Sequence, residues 1–99
     1  MKIFLTAFAK AQIHVIHSYY KETASVKVAD KIKSEIINTI SQLKDFPESG
    51  QVEMFMTRFG KQHRRLVSGN YKIIYRIEGD NAYVTDVYDS RQSPEKMNP

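Results

Sequence analysis

Apolar residues recur with two different periods along the chain, and the change falls near residue 47. In the first half, Ala9, Ile13, Ile16 and Tyr20 lie three or four residues apart, which is helical spacing. Thr6 stands just before them as a cap, so a helix is expected from about Ala7. Lys21-Glu22-Thr23 reads as a connection. A second helix is expected from Ala24 or Ser25 to Lys44, with Ala29, Ile32, Ile36, Ile40 and Leu43 as its apolar stripe. Lys31, Lys33, Glu35, Asn38 and Gln42 fill its other side. Asp45-Phe46-Pro47 ends it, because proline disfavours helical backbone in the residue before it. A link this short between two helices implies an antiparallel hairpin. Ahead of it, Lys2-Ile3-Phe4-Leu5 is a short strand candidate.

The second half reads with period two. His63 to Val67 is a strand candidate, and Ser68-Gly69-Asn70 has the composition of a hairpin turn. Tyr71 to Ile77 is the strongest strand, with Tyr71, Ile73, Tyr75 and Ile77 on one face. Glu78-Gly79-Asp80-Asn81 is the next turn and Ala82 to Asp89 the last strand. Gln51 to Gly60 fits no single pattern. Met54-Phe55-Met56 and Phe59 suit either a strand or an apolar surface for a partner. Ser90 to Pro99 reads as a polar tail. The order β-α-α-β-β-β implies one α+β domain over residues 1–99. A helical hairpin packs on one face of a mostly antiparallel four-stranded sheet.

Composition excludes some chemistry. There is no cysteine among the 99 residues, so disulfides, thiolate zinc sites and a cysteine nucleophile are out. No window is long and apolar enough to span a bilayer, and the start of the chain makes a poor signal peptide. These features favour the cytoplasm. His14 and His17 have a metal-ligand spacing but no third ligand nearby, so neither a metal nor a cofactor is expected.

Charge alters the picture more. The net charge is +4, yet Arg58, Lys61, Arg64, Arg65, Lys72 and Arg76 fall in one window that contains no acid. Such a field attracts polyanions or an acidic partner segment, unless it only keeps a sheet face solvated. Strand alternation sharpens the choice. With Tyr71, Ile73, Tyr75, Ile77 and Leu66 turned to the helices, His63, Arg65, Lys72 and Arg76 fall together on the opposite, free face. Like charges opposed across a sheet cost stability unless an anion sits between them. That predicts an anion-binding face, flanked by Lys61 and Arg64.

Three segments in this order carry a family resemblance: Phe46-Pro47-Glu48-Ser49-Gly50, then Arg64-Arg65-Leu66-Val67-Ser68-Gly69-Asn70-Tyr71-Lys72-Ile73-Ile74-Tyr75-Arg76-Ile77, then Asp86-Val87-Tyr88-Asp89-Ser90-Arg91-Gln92-Ser93-Pro94. Set behind a helical hairpin, they resemble the RelE/ParE toxin superfamily, the toxins of type II toxin–antitoxin modules, often described as plasmid stabilisation proteins. The resemblance implies a growth-inhibitory cytoplasmic protein held silent by an antitoxin encoded beside it. The superfamily divides between RelE-like members, which cleave messenger RNA on the ribosome, and ParE-like members, which poison DNA gyrase.

Cleavage by 2′-hydroxyl attack needs a base, cations for the phosphorane and an acid for the leaving oxygen. The resemblance places His63, Arg65, Lys72 and Arg91 at the nuclease positions, with Glu53 near a carboxylate that some relatives use as base. The match is incomplete. No tyrosine or histidine follows Arg91, Tyr88 precedes it, and Lys72 lacks the fork of an arginine. Arg91-x-x-Pro94 is closer to the ParE-like ending, so inhibition of gyrase by binding is the expected activity. The RelE-like ribosome-dependent endoribonuclease is the alternative, and a decayed toxin that only binds its antitoxin is the third reading. Asp86, between apolar neighbours, is expected to pair with Arg91 or Arg65.

Overall fold

A computed structural model describes residues 1–99. Strand β1 (Lys2–Leu5) leads into helix α1 (Ala7–Thr23), whose first turn is capped by Thr6 Oγ1, 3.1 Å from the Ala9 N–H that donates to it. The expected connection at Lys21–Thr23 is the last turn of α1, and the true link is Ala24–Ser25. Ser25 in turn caps helix α2 (Val26–Ser41) by accepting from Val28 N–H at 3.1 Å. A 3₁₀ turn, Gln42–Lys44, carries Leu43 into the core. His17 Nε2 lies 2.8 Å from Asp30 Oδ1 and ties the two helices together.

The remaining strands are β2 (Gln51–Val52), β3 (Arg64–Ser68), β4 (Tyr71–Glu78) and β5 (Asn81–Asp89). They form one sheet in the order β1-β5-β4-β3-β2, with β1 parallel to β5 and every other pair antiparallel. The sheet therefore has five strands where the sequence pattern implies four. The additional strand is two residues long, too short to show alternation, and exists because Gln51 and Val52 pair with Arg65 and Arg64. Both hairpins turn on a glycine of positive φ, Gly69 at 57° and Gly79 at 59°, in the first central position.

The expected inward face is the observed one. Leu66 pairs with Ile73, and Tyr71, Ile73 and Tyr75 pack against Ala9, Ile13 and Ile16 of α1 and Ile36 and Ile40 of α2. In β5 a bulge between Asp86 and Val84 lets both Val84 and Val87 face this core. Strict alternation would send them to opposite sides. Tyr75 also anchors the loop before β2. Its hydroxyl donates to Pro47 O at 2.9 Å and accepts from Gly50 N–H at 3.0 Å. A Cβ on Gly50 would lie 2.6 Å from both Arg65 O and the Tyr75 hydroxyl, which is why this position is glycine.

The opposite face is not free, and here the structure corrects the sequence pattern. A 3₁₀ helix, Met54–Phe59, and the C-terminal segment cover it, burying Met56 and Met97 against Ile74 and Tyr88. The expected polar tail is a strap. Thr85 Oγ1 donates to Asn98 O at 3.1 Å, and Asn98 N–H donates to Asp86 Oδ2 at 3.0 Å. The cause is Ile74 and Tyr88, two large side chains that the alternation turns away from the helices and that need a cover of their own. Met54, Phe55 and Phe59 stay exposed on the outside of this cover. No helix is long and apolar enough to cross a membrane.

Candidate functional site

Arg65 and Lys72 do share the second face, as the strand pattern requires, but an anion from the chain itself already lies between them. Glu53 follows β2 and its N–H donates to His63 O at 2.8 Å, extending the ladder by one residue. This drops its carboxylate into the interior, where Glu53 is 2% exposed. Glu53 Oε2 accepts from Arg65 Nη1 at 2.9 Å. Arg65 also donates to Val52 O and to Gln51 Oε1, at 2.9 and 2.8 Å. Lys72 Nζ stands 3.6 Å from Glu53 Oε1, an oxygen with no hydrogen bond. Two cations over one carboxylate leave a single positive charge at a site that is a quarter exposed on its cationic side.

The other basic residues are engaged in the same way. Lys61 Nζ lies 2.7 Å from Glu78 Oε1, and Arg76 Nε lies 3.6 Å from the same oxygen. The Lys61 contact, with a smaller contribution from Arg76, holds the Glu78 carboxyl below the usual carboxylate range. Arg76 also lies over the Tyr83 ring, 5.1 Å from its centroid. Arg64 Nη1 donates to Gly50 O at 2.8 Å and so fixes the loop that Tyr75 anchors. Lys61, Arg64 and Arg76 border a shallow hollow of about 350 Å³, with Glu48 and Glu78 on its wall. In the window from residue 58 to 76, only Arg58 has no carboxylate or carbonyl partner, and its guanidinium lies over the ring of Phe59, 4.7 Å from the centroid. The acid-free window is acid-free in sequence alone, because Glu53 and Glu78 fold in from either side of it.

His63 is not on an exposed strand. It is 2% exposed and precedes β3, with Nδ1 3.1 Å from Lys61 O and Nε2 3.2 Å from Pro99 O. Both ring nitrogens face main-chain oxygens, so neither is directed at solvent. Arg91 sits elsewhere, in a larger groove beside α1, and forks onto Asp89 with Nε and Nη2 contacts of 2.9 and 2.8 Å. That pairing pushes the Asp89 carboxyl down and the Arg91 guanidinium further up. Tyr71 and Tyr20 meet hydroxyl to hydroxyl at 3.3 Å, and burial together with that bond raises the Tyr71 phenol. Tyr88 donates to Gln92 O.

The structure thus joins Arg65 to Lys72 through Glu53, and Lys61 to Arg76 through Glu78. Arg64 borders the same hollow as Lys61 and Arg76, and His63 meets the Pro99 oxygen that Arg76 also contacts, while Arg91 lies apart from both groups. Asp86 pairs with neither Arg91 nor Arg65. It is buried under the strap, and burial raises its carboxyl above the usual range against the N–H groups of Asn98 and Val87. No cluster of three or more potential metal-ligating residues exists. The sequence pattern missed the groove that holds Arg91. Its signal was a second apolar stripe on α1, Phe8, Val15 and Tyr19, beside the core stripe.

The chain runs β-α-α-β-β-β-β, with a helical hairpin on one sheet face and with Lys61, Arg64, Arg65, Lys72 and Arg76 each held by an internal carboxylate or a main-chain oxygen. Comparison with known proteins gives the particular family. The family model described as "ParE toxin of type II toxin-antitoxin system, parDE" matches residues 3–94, and the chain belongs to that family. A solved structure titled "Chromosomal ParDE TA system from P. aeruginosa" shares the fold, with a TM-score of 0.76 at 16% identity. The match covers 90% of this chain and 95% of that one. No curated protein sequence matches. The protein is the toxin component of a type II toxin–antitoxin system, and the family implies an antitoxin as its partner.

Proposed function

We propose that the toxin acts in the cytoplasm by binding, with DNA gyrase as its target, and that it carries no active site of its own. The observation that supports this reading is the state of the four nuclease candidates. His63 is buried between two carbonyl oxygens, Arg65 and Lys72 are held by Glu53, and Arg91 is forked onto Asp89 in a separate groove. A phosphorane would have to compete with an internal carboxylate for each of the three cations. Both His63 ring nitrogens face main-chain oxygens, so the imidazole offers no open nitrogen to take a 2′-hydroxyl proton.

One feature favours the endoribonuclease instead. Glu53 Oε1 is a buried carboxylate oxygen without a hydrogen bond, beneath two cations. A single pair of assays separates the two readings. Antitoxin-free protein is added to gyrase supercoiling reactions and to reconstituted translation, with the 5′ ends of the messenger mapped. Loss of supercoiling with an intact messenger is expected. New 5′ ends inside codons, appearing only with ribosomes and lost on Arg91→Ala, would overturn the proposal. Activity in neither assay would point to a decayed toxin.

A further inference from the structure

Strand β1 ends the sheet on the side away from β2, and its outer edge has no partner. Lys2 N–H donates to Asp80 O at 3.1 Å and Thr6 N–H to Val84 O at 3.0 Å, so the even-numbered residues direct their main-chain groups to β5. In a parallel ladder a residue turns its N–H and its C=O to the same side. Ile3 and Leu5 therefore hold theirs outward, each offering a donor and an acceptor along the open edge.

The side chains of β1 divide between the two faces of the sheet. Ile3 and Leu5 are half-buried and pack against the rim of the helix-side core. Phe4 lies on the other face, 45% exposed. Its ring stacks on that of Tyr83, its cross-strand neighbour in β5, with centroids 5.5 Å apart and planes 21° from parallel. Arg76, the next residue in that row, lies over the Tyr83 ring in turn, 5.1 Å from its centroid. This column of flat groups stops at Phe4, because no strand lies beyond β1.

The strand is complementary to itself. With two copies antiparallel and Phe4 on the two-fold axis, Ile3 falls opposite the second copy's Leu5, and Leu5 opposite its Ile3. These are the residues whose main-chain groups face outward. Each pair can exchange both bonds, and the two Phe4 residues meet between them at the closer, non-hydrogen-bonded position. Apolar side chains then face apolar ones on the helix side, and on the other side the stacked column continues into its own image. Lys2, the one charge on the strand, faces Thr6 and not itself. Centring the pair on Ile3 sets Leu5 against Met1, and centring it on Leu5 sets Ile3 against Ala7. Neither of those two is a strand residue.

We propose that a second copy of this chain pairs at this edge, β1 antiparallel to β1, so that two sheets join into one across an isologous contact. A strand this short gives a small interface, and the dimer forms only at high protein concentration. The inference goes beyond the gyrase reading and does not depend on it.

The test uses the full chain free of antitoxin, which has no cysteine of its own. Sedimentation is expected to show monomer giving way to dimer between about 10 and about 500 μM, with the Ile3 and Leu5 amides exchanging at least tenfold more slowly in the dimer. Phe4→Lys sets two like charges against each other on the axis and is expected to stay monomeric over that range. Phe4→Cys reads the register directly, because residues opposed at a non-hydrogen-bonded position lie within reach of a disulfide. Under mild oxidation it is expected to form a covalent dimer at least tenfold faster than Lys2→Cys, which is exposed on the same strand but four residues from its own image. A parent chain that stays monomeric throughout overturns the inference. So does a dimer whose Ile3 and Leu5 amides exchange at the monomer rate, a Phe4→Lys variant that dimerises like the parent, or equal cross-linking by the two cysteine variants.

Discussion

On the helix-covered face of the sheet the interior is made of isoleucine, leucine, valine and alanine with two tyrosines. On the other face, Met56, Ile74, Tyr88 and Met97 share the interior with Glu53, His63 and Asp86. The first side is held by regular elements whose apolar positions repeat. The second is held by a 3₁₀ helix and a terminal strap, which pack loosely patterned side chains around charge. The contrast teaches how a short chain finishes a two-sided sheet. Two helices close one side through apolar area alone, and irregular segments close the other only by satisfying polar groups as they go.

The largest expected effect lies on the helical side. Ile36 is fully buried at the centre of the core. Ile36→Ala is expected to cost about 3–4 kcal/mol, because the transfer loss is joined by a cavity that two packed layers cannot close. Urea unfolding measures it. A loss below about 1 kcal/mol would mean that the hairpin adjusts over the sheet and that this side is no more rigid than the other.

Breaking the charge cluster on the second side comes next. Glu53→Gln keeps the shape but leaves Arg65 and Lys72 facing a neutral amide. Removing one partner of a fully buried pair costs about 3–5 kcal/mol. Both cations here reach water, so about 2 kcal/mol is expected. The same variant adds a positive charge to the surface, so sulfate should stabilise it more than it stabilises the parent. Equal response to sulfate would show that Arg65 and Lys72 do not act as one anion site.

Periodicity made the helical side legible because each residue there repeats a rule. The positions Ile13, Ile16, Ile36, Ile40 and Ile73 follow from spacing, and the cap Thr6 from composition, while Ser25, one of two expected starts of the second helix, is its cap. Arg65 and Lys72 were placed on their face by the same alternation. The second side was not legible, for three physical reasons. A two-residue strand shows no alternation. A single methionine in a polar tail carries no period. A carboxylate that neutralises a cation 12 residues away, as Glu53 does Arg65, leaves no local trace. The free anion face followed from counting charges in a window of sequence, and folding brought acids into that window from outside it. Asp86 was misassigned on the same ground, since its partner is a main-chain N–H of the strap.

Met97 tests that strap. Met97→Ala is expected to cost about 1–2 kcal/mol, at or below the lower end for a buried methionine, because a terminal segment settles inward where a helix cannot. It should also loosen the Asn98 N–H bond to Asp86. A cost as large as that of Ile36→Ala would make the two faces energetically equal and remove the contrast.

The smallest effect is the most specific to the second side. Burial raises the Asp86 carboxyl above its unfolded value, and the N–H groups of Asn98 and Val87 offset only part of this. The folded protein therefore binds this proton more tightly than the unfolded chain does. The stability from this group is full below the ordinary carboxylate value of about 4 and is lost as pH rises through the raised folded value. Glu78 and Asp89, both held low, act in the opposite sense, and their contribution fades only as pH falls below the ordinary value. The two windows do not overlap. Asp86→Asn keeps an oxygen for Asn98 N–H and carries no charge, so the variant should be at least as stable as the parent at pH 7. That difference should shrink as pH falls through the raised folded value and close below the ordinary carboxylate value of about 4. Urea midpoints of parent and variant, compared at each pH, isolate this group because every other titration is common to both. A constant difference across the range would mean that the strap lets water reach the carboxylate, and the second side would then be a cover and not a core.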